Sequence, residues 1–184
     1  FAECLVPLIN EDKNTGIQIA TEIINSFSEI YQKNWFEMMR KKLGLLGQDA
    51  KDEKLIIDLL TWMHKNKADY TNTFCFLMNQ NFQNKKIYSS QSFIDWKKQW
   101  QDRLKINTNS PEVSLKLMHS SNPLVVPRNH KVEEALESAN SGDLNPTKNL
   151  LKILEKPYEN KKEISEYQSP APPSDKIYKT FCGT

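Results

Sequence analysis

A chain of 184 residues is long enough for one ordinary domain with a core of its own and short for two. Its 38% hydrophobic and 26% charged residues exclude wholesale disorder. A net charge of +2 gives no reason to expect nucleic acid or an anionic membrane as partner, and no run of about 18 apolar residues offers a membrane span. The basic clusters Arg40-Lys41-Lys42, Lys85-Lys86, Lys97-Lys98 and Lys161-Lys162 are short and read as solvated helix faces or ends. Phe1-Ala2-Glu3-Cys4-Leu5, with no initiator Met and no signal layout, reads as the interior of a longer protein. Cys4, Cys75 and Cys182 are odd in number and widely spaced, which argues against a disulfide framework and for a reducing compartment.

In chain order the first elements are helical. Ile17, Ala20, Ile24, Phe27, Tyr31, Trp35 and Met38 recur at spacings of three and four, the stripe of a long amphipathic helix. Thr15-Gly16 offers a start, and Lys41, Lys42 and Gly44 a stop. A second stripe, Ile56, Leu59, Leu60 and Met63, is entered through Asp49 or Asp52 as N-cap. A third is Tyr70, Phe74, Leu77 and Met78 behind Asp69. A fourth is Phe93, Trp96, Trp100 and Leu104 behind Ser90 or Ser92. Pro111 to His119 has weaker helical periodicity. Asn122 to Arg128 then runs extended, because Pro123 and Pro127 bracket Leu-Val-Val. A helix from Asn129 to about Ser141 is closed by Gly142. Asn145-Pro146 reads as a cap and first-turn proline, with Leu150, Leu151 and Leu154 as the buried side and Pro157 as the stop.

From Tyr158 onward Lys, Glu and Asn dominate, followed by Ser169-Pro170-Ala171-Pro172-Pro173-Ser174, a linker or extended tail rather than core. No convincing alternating strand is present. The expected fold is all-α: a multi-helix, bundle-like array over residues 1–155, and a Pro-rich, largely irregular tail over 156–184.

Motifs with chemistry of their own are scarce. The glycines form no phosphate-cradling loop; Gly44-Leu45-Leu46-Gly47 lacks the following Lys-Ser/Thr. His64, His119 and His130 have no ligand three or four residues away, so zinc spacing is absent. Cys75, between two phenylalanines, reads as a buried inert thiol, and Cys4 is read the same way. Arg128-Asn129 stands apart. Its forked guanidinium can clamp the extended loop through an ion pair or carbonyls, or reach a partner domain, and the apolar neighbours favour the clamp. Cys182 follows the Pro-rich stretch; it is either an accessible thiol fit for exchange or an incidental terminal cysteine.

Several segments, taken in order, resemble the SelO/YdiU family of protein adenylyltransferases with a pseudokinase fold. Met39 with Lys42-Leu43-Gly44-Leu45 is similar to the family's M-x-x-K-L-G-L segment. Leu59-Leu60, Met63, Asp69-Tyr70-Thr71 and Phe74 are similar to L-L-x-x-M … D-Y-T-x-x-F. Asn122-Pro123, Arg128-Asn129, Ala135, Ala139, Gly142-Asp143, Leu150-Leu151, Leu154 and Pro157-Tyr158 follow N-P … R-N … A … G-D … L-L … L … P-Y. Tyr167 and Pro172-Pro173 continue the order, and Cys182 stands where the family carries Cys or selenocysteine. His130 departs from the more usual Tyr, and Pro127 is unusual before Arg128.

The resemblance implies transfer of AMP from ATP to Ser, Thr or Tyr hydroxyls of other proteins, with Mg2+ or Mn2+. It places the ATP- and metal-binding residues N-terminal to the matched region, so no catalytic, cofactor-binding or metal residue is carried onto this chain. Cys182 alone carries over, as a redox-responsive thiol whose family partner is a cysteine of the catalytic domain. The implied partners are an N-terminal kinase-like catalytic domain of the same protein and the protein substrates, with neither nucleic acid nor membrane. The expected compartment is the cytoplasm in a bacterium, with the mitochondrion as the eukaryotic alternative. The competing expectation is a stand-alone helical interaction module without enzymatic activity.

Overall fold

A computed structural model describes residues 1–78, 86–106, 110–160 and 162–171. Cys182, Pro172-Pro173, Lys85 and Lys161, singled out in the sequence, lie outside the described residues. Among those described the fold is all-α, with no strand.

Helix α1 (Ala2–Ile9) lies along the start of the long α2 (Lys13–Lys42). The α2 helix begins earlier than Thr15, because Asp12 is the N-cap and accepts from the Thr15 amide at 2.8 Å. It ends as expected at Gly44, whose φ of +69° supplies the left-handed residue of a Schellman turn. There the Leu45 amide bonds Arg40 O at 2.9 Å and the Gly44 amide bonds Lys41 O at 3.1 Å. A β-carbon on Gly44 would stand 2.8 Å from Ser114 O, so the glycine is also what lets α6 (Pro111–Ser121) approach.

Helix α3 (Asp52–Lys65) packs on α5 (Gln91–Ile106), with α4 (Tyr70–Leu77) and a 3-10 turn at Lys86–Ser89 between them in sequence. The core gathers Met39 and Leu43 from the end of α2, Ile56 and Leu59 from α3, Phe74 from α4, and Phe93, Trp96 and Trp100 from α5. The indoles are placed by polar as well as apolar contacts. Trp96 Nε1 donates to Leu55 O at 2.8 Å and Trp100 Nε1 to Leu43 O at 2.9 Å, so each buried N–H is paired. Phe76 and Tyr88 stack with centroids 4.0 Å apart.

Helices α7 (Asn129–Asn140) and α8 (Asn145–Leu154) form a hairpin closed by Gly142, φ +92°. Here the structure corrects two sequence expectations. The α8 cap is Leu144, not Asn145. The buried pair is Leu150 and Ile153, while Leu151 is 58% exposed. Ile153 and Leu154 lie on either side of Leu150 within about 60° around the helix, whereas Leu151 is turned about 100° away, so the core-facing arc takes Ile153 in and leaves Leu151 out, with Leu154 packed at its edge as expected. Cys4, expected to be buried, is exposed on α1. Within the expected tail, a 3-10 turn (Lys162–Ile164) and α9 (Ser165–Gln168) are ordered against the body. Ile164, only 3% exposed, belongs to the core.

The apolar stripe of α2 also meets an outcome its periodicity does not announce. Ala20 is buried and Trp35 packs against the core, but Ile17, Ile24, Phe27, Tyr31 and Met38 are all exposed.

Candidate functional site

The polar chemistry of the molecule converges where the extended run Asn122 to Arg128 crosses the ends of α2, α4 and α6. Pro123 and Pro127 hold the run out of helical conformation, so its backbone groups need partners from elsewhere. Leu124 N donates to Pro157 O at 2.7 Å, and Gln168 Nε2 of α9 donates to Leu124 O at 2.9 Å. Asn122, 1% exposed, donates through Nδ2 to Lys42 O at 2.8 Å and to Met118 O at 2.9 Å. One side chain thus satisfies the last carbonyls of two helices. Its Oδ1 is buried without a hydrogen-bond partner, as is Arg128 Nε.

Arg128 reaches back to the start of α4. Nη1 donates to Asp69 Oδ2 at 2.7 Å and Nη2 to Asp69 Oδ1 at 3.0 Å, the two-pronged geometry a guanidinium offers a carboxylate. Nη2 also lies 3.3 Å from Asn72 Oδ1. Asp69 is the α4 N-cap the sequence points to, accepting from the Asn72 amide at 2.8 Å. Burial pushes the Asp69 carboxyl up, but Arg128 and the Asn72 amide outweigh it and leave it below the ordinary 3.8. Asn72 Nδ2 then donates to Gln168 O at 3.1 Å, so α9 is tied to the loop and to α4 at once.

Lys42 and Cys75 occupy the floor. Lys42 Nζ sits 4.7 Å from the Phe74 ring centroid and 5.5 Å from that of Tyr70, and donates to Ser121 O at 3.3 Å. Burial lowers the lysine's pKa, with Cys75 acting in the opposite direction. The Cys75 thiol, fully buried and donating to Pro123 O at 3.7 Å, is pushed up to about 12, first by burial and then by Asp69. A thiol that stays protonated is a poor nucleophile. In the native protein Cys4 is therefore expected to alkylate readily and Cys75 to resist until unfolding. Peptide mass mapping after a timed pulse of iodoacetamide checks this; labelling of Cys75 as fast as Cys4 would contradict the buried placement.

A second buried ion pair joins α5 to the start of α3. Arg103 Nε donates to Asp52 Oδ1 at 2.7 Å and Nη2 lies 3.3 Å from Oδ2, with side chains 7% and 1% exposed. Arg103 Nη2 also reaches Leu46 O at 3.2 Å, and Asp52 Oδ2 accepts from the Asp49 amide at 3.0 Å. Neither Asp49 nor Asp52 is the α3 N-cap; Lys51 holds that position and Asp52 is the first helical residue. The sequence did hold a signal for the pair. Arg103 continues the buried series Phe93, Trp96, Trp100 by three residues, a register at which an arginine needs a buried anion.

Of the residues singled out in the sequence, Arg128 sits in the network and Asn129 is exposed in the first turn of α7. The asparagine that anchors this run is Asn122. No group of three or more His, Cys, Asp or Glu among the described residues is placed to hold a metal ion. An open hollow of about 410 Å³ beside α2 is lined by Lys33, Phe36, Arg40, Asp49 and Glu53, a mixed-charge surface. No described helix is long and apolar enough to cross a membrane.

Comparison with known proteins agrees with the order of segments read from the sequence. The family model for protein adenylyltransferase SelO matches residues 1–155. Over 184 residues the chain is 50% identical to protein nucleotidyltransferase YdiU of Pelagibacter ubique, covering all of this chain and 38% of that protein. Over 185 aligned residues it is 42% identical to YdiU of Nitrosococcus oceani and 44% identical to YdiU of Bacillus mycoides, with the same coverage. The chain therefore spans 38% of the length of the curated relatives it matches.

Proposed function

The chain belongs to the SelO protein adenylyltransferase family, and from that premise we propose that it is the C-terminal helical region of a YdiU-like enzyme. That enzyme moves AMP from ATP to Ser, Thr or Tyr hydroxyls of other proteins. In such a transfer the acceptor hydroxyl loses its proton and bonds the α-phosphorus as the bond to pyrophosphate breaks; Mg2+ or Mn2+, held outside this chain, would neutralise phosphate charge, and positioning and electrostatics supply most of the catalysis. The observation that carries this reading is identity of 42–50% sustained along the whole chain.

In this reading the chain supplies support rather than chemistry. The ATP and metal site lies in the kinase-like catalytic domain, on which the helical region packs. Arg128 acts as an architectural anchor, and the buried polar ties around it suit a platform better than a pocket: the carboxylate of Asp69 is committed to Arg128, and the Cys75 thiol is held protonated. Cys182 serves as the redox-responsive thiol: an oxidant such as a peroxide takes two electrons from it and a catalytic-domain thiol, both thiol protons leave, and a disulfide joins the two sulfurs. The compartment is the cytoplasm of a bacterial cell, in keeping with bacterial relatives.

The test uses ATP labelled at the α-phosphate, Mg2+ or Mn2+, and a mixture of protein acceptors. A polypeptide of family length carrying this chain is expected to label protein, while the 184-residue chain alone labels none and shows no ATP binding by calorimetry. Label arriving from the γ-phosphate, or tight ATP binding by the isolated chain, overturns the proposal.

A further inference from the structure

Between residues 21 and 34, α2 is exposed on every side, although its sequence is not that of a solvent-exposed helix. Ile23, Ile24, Phe27, Ile30 and Tyr31 are each 55–63% exposed. At about 100° per residue these five fall within an arc of about 120°, one continuous apolar face. The same face is already covered one turn earlier. There α1 lies on it so closely that a β-carbon on Gly16 would stand 3.1 Å from Val6 Cγ1, and Ala20 is 8% exposed.

The composition of this stretch makes an uncovered state costly. Thr21, Ile23, Ile24, Asn25, Ser26, Phe27, Ser28, Ile30 and Tyr31 all rank below the good helix formers. Most helical stability in proteins comes from packing an apolar face, and no described residue buries this one. A contiguous exposed apolar face of this kind marks an interaction surface.

We infer that the Ile23–Tyr31 face of α2 is the seam on which the remainder of a family-length polypeptide docks. The inference rests on the reading that this chain works within such a polypeptide. Its own observation is that the chain accounts for 38% of its relatives' length, so the larger part of the polypeptide is outside it. A covalently attached partner meets the face at high effective concentration, and a shallow apolar stripe on one helix then suffices where a separate partner would need a larger surface. The face extends the α1–α2 contact without a break, so α1 and the docked segment form one apolar layer along the helix.

Hydrogen exchange without nucleotide tests the seam. Amides of residues 21–34 are expected to exchange at least about tenfold more slowly in the family-length polypeptide than in the 184-residue chain. Phe27→Glu in the long polypeptide should return the stretch to fast exchange, and Phe27→Leu should keep it slow. Equal exchange in both forms overturns the inference. So does a concentration-dependent dimer of the 184-residue chain that Phe27→Glu dissociates, because the occupant is then a second copy. Protection without AMP transfer would sink the enzymatic reading and leave the seam standing; transfer without protection would do the reverse.

Discussion

Replacing Arg103 with alanine is expected to cost about 3–5 kcal/mol of folding stability, the range for breaking a buried ion pair by removing one partner. The loss comes less from the attraction forgone than from what stays behind. The Asp52 carboxylate is 1% exposed and would keep only the Asp49 amide from its present set of partners. Leu46 O would lose its guanidinium donor at the same time. Arg103→Met restores the volume of the stem without the charge and should lose nearly as much. The double replacement Arg103→Met with Asp52→Leu removes both charges and should recover most of the loss, because a well-packed apolar pair replaces a buried ionic one at little or no cost. Urea unfolding followed by tryptophan fluorescence reads the midpoints. A single-variant loss under about 1 kcal/mol with unchanged slope would mean that the pair is far more hydrated than its burial implies.

Much of this architecture was legible in the sequence, and the parts that were not share a cause. Local signals read well. Asp69 caps α4 as its side chain and position predict, Gly44 and Gly142 close helices in the left-handed region, and the prolines flanking Leu-Val-Val keep the run extended. Each of these is decided within about one turn of backbone, where the physics is local. What periodicity cannot decide is which partner a face meets. Asp52 looked like a cap because Asp at a helix start usually is one; its pairing with Arg103 spans 51 residues of chain. Ile164 sits in a polar, proline-approaching stretch whose composition argues for a tail, yet its side chain fills the core. The α2 stripe is amphipathic in its spacing, but amphipathicity states a need for cover and not its source.

The candidate site divides along the same line. Arg128 could be picked out because an arginine after an extended apolar run must do something with its charge. Asn129 is its neighbour in sequence, but the buried polar role falls seven residues upstream, on Asn122. An asparagine beside a proline reads as a turn former. Only the approach of α2 and α6 makes it a shared cap for two helix ends.

Arg128→Ala is expected to lower stability by about 2 kcal/mol at neutral pH, less than for Arg103 because its pair with Asp69 is 12% and 22% exposed and partly screened. Arg128→Lys should recover only part of that, since a single ammonium cannot span both carboxylate oxygens, now met at 2.7 and 3.0 Å. The pH dependence has a definite sign. Asp69 titrates below its ordinary 3.8 in the folded protein, so its contribution is fully present above that value and is lost as pH falls through the lower folded one. In Arg128→Ala the burial that raises the carboxyl's pKa is opposed by the Asn72 amide and no longer by the guanidinium. The gap between parent and variant should therefore be widest near neutrality, narrow on acidification, and be smallest where Asp69 is neutral in both. Thermal unfolding across that range measures the gap, and one that stays constant with pH would assign the loss to packing of the arginine stem instead. The same substitution should speed exchange at the Leu124 amide, now bonded to Pro157 O at 2.7 Å. Arg128 holds Asn72 and Asp69, Asn72 holds Gln168, and Gln168 holds the Leu124 carbonyl, so releasing the first tie loosens the last.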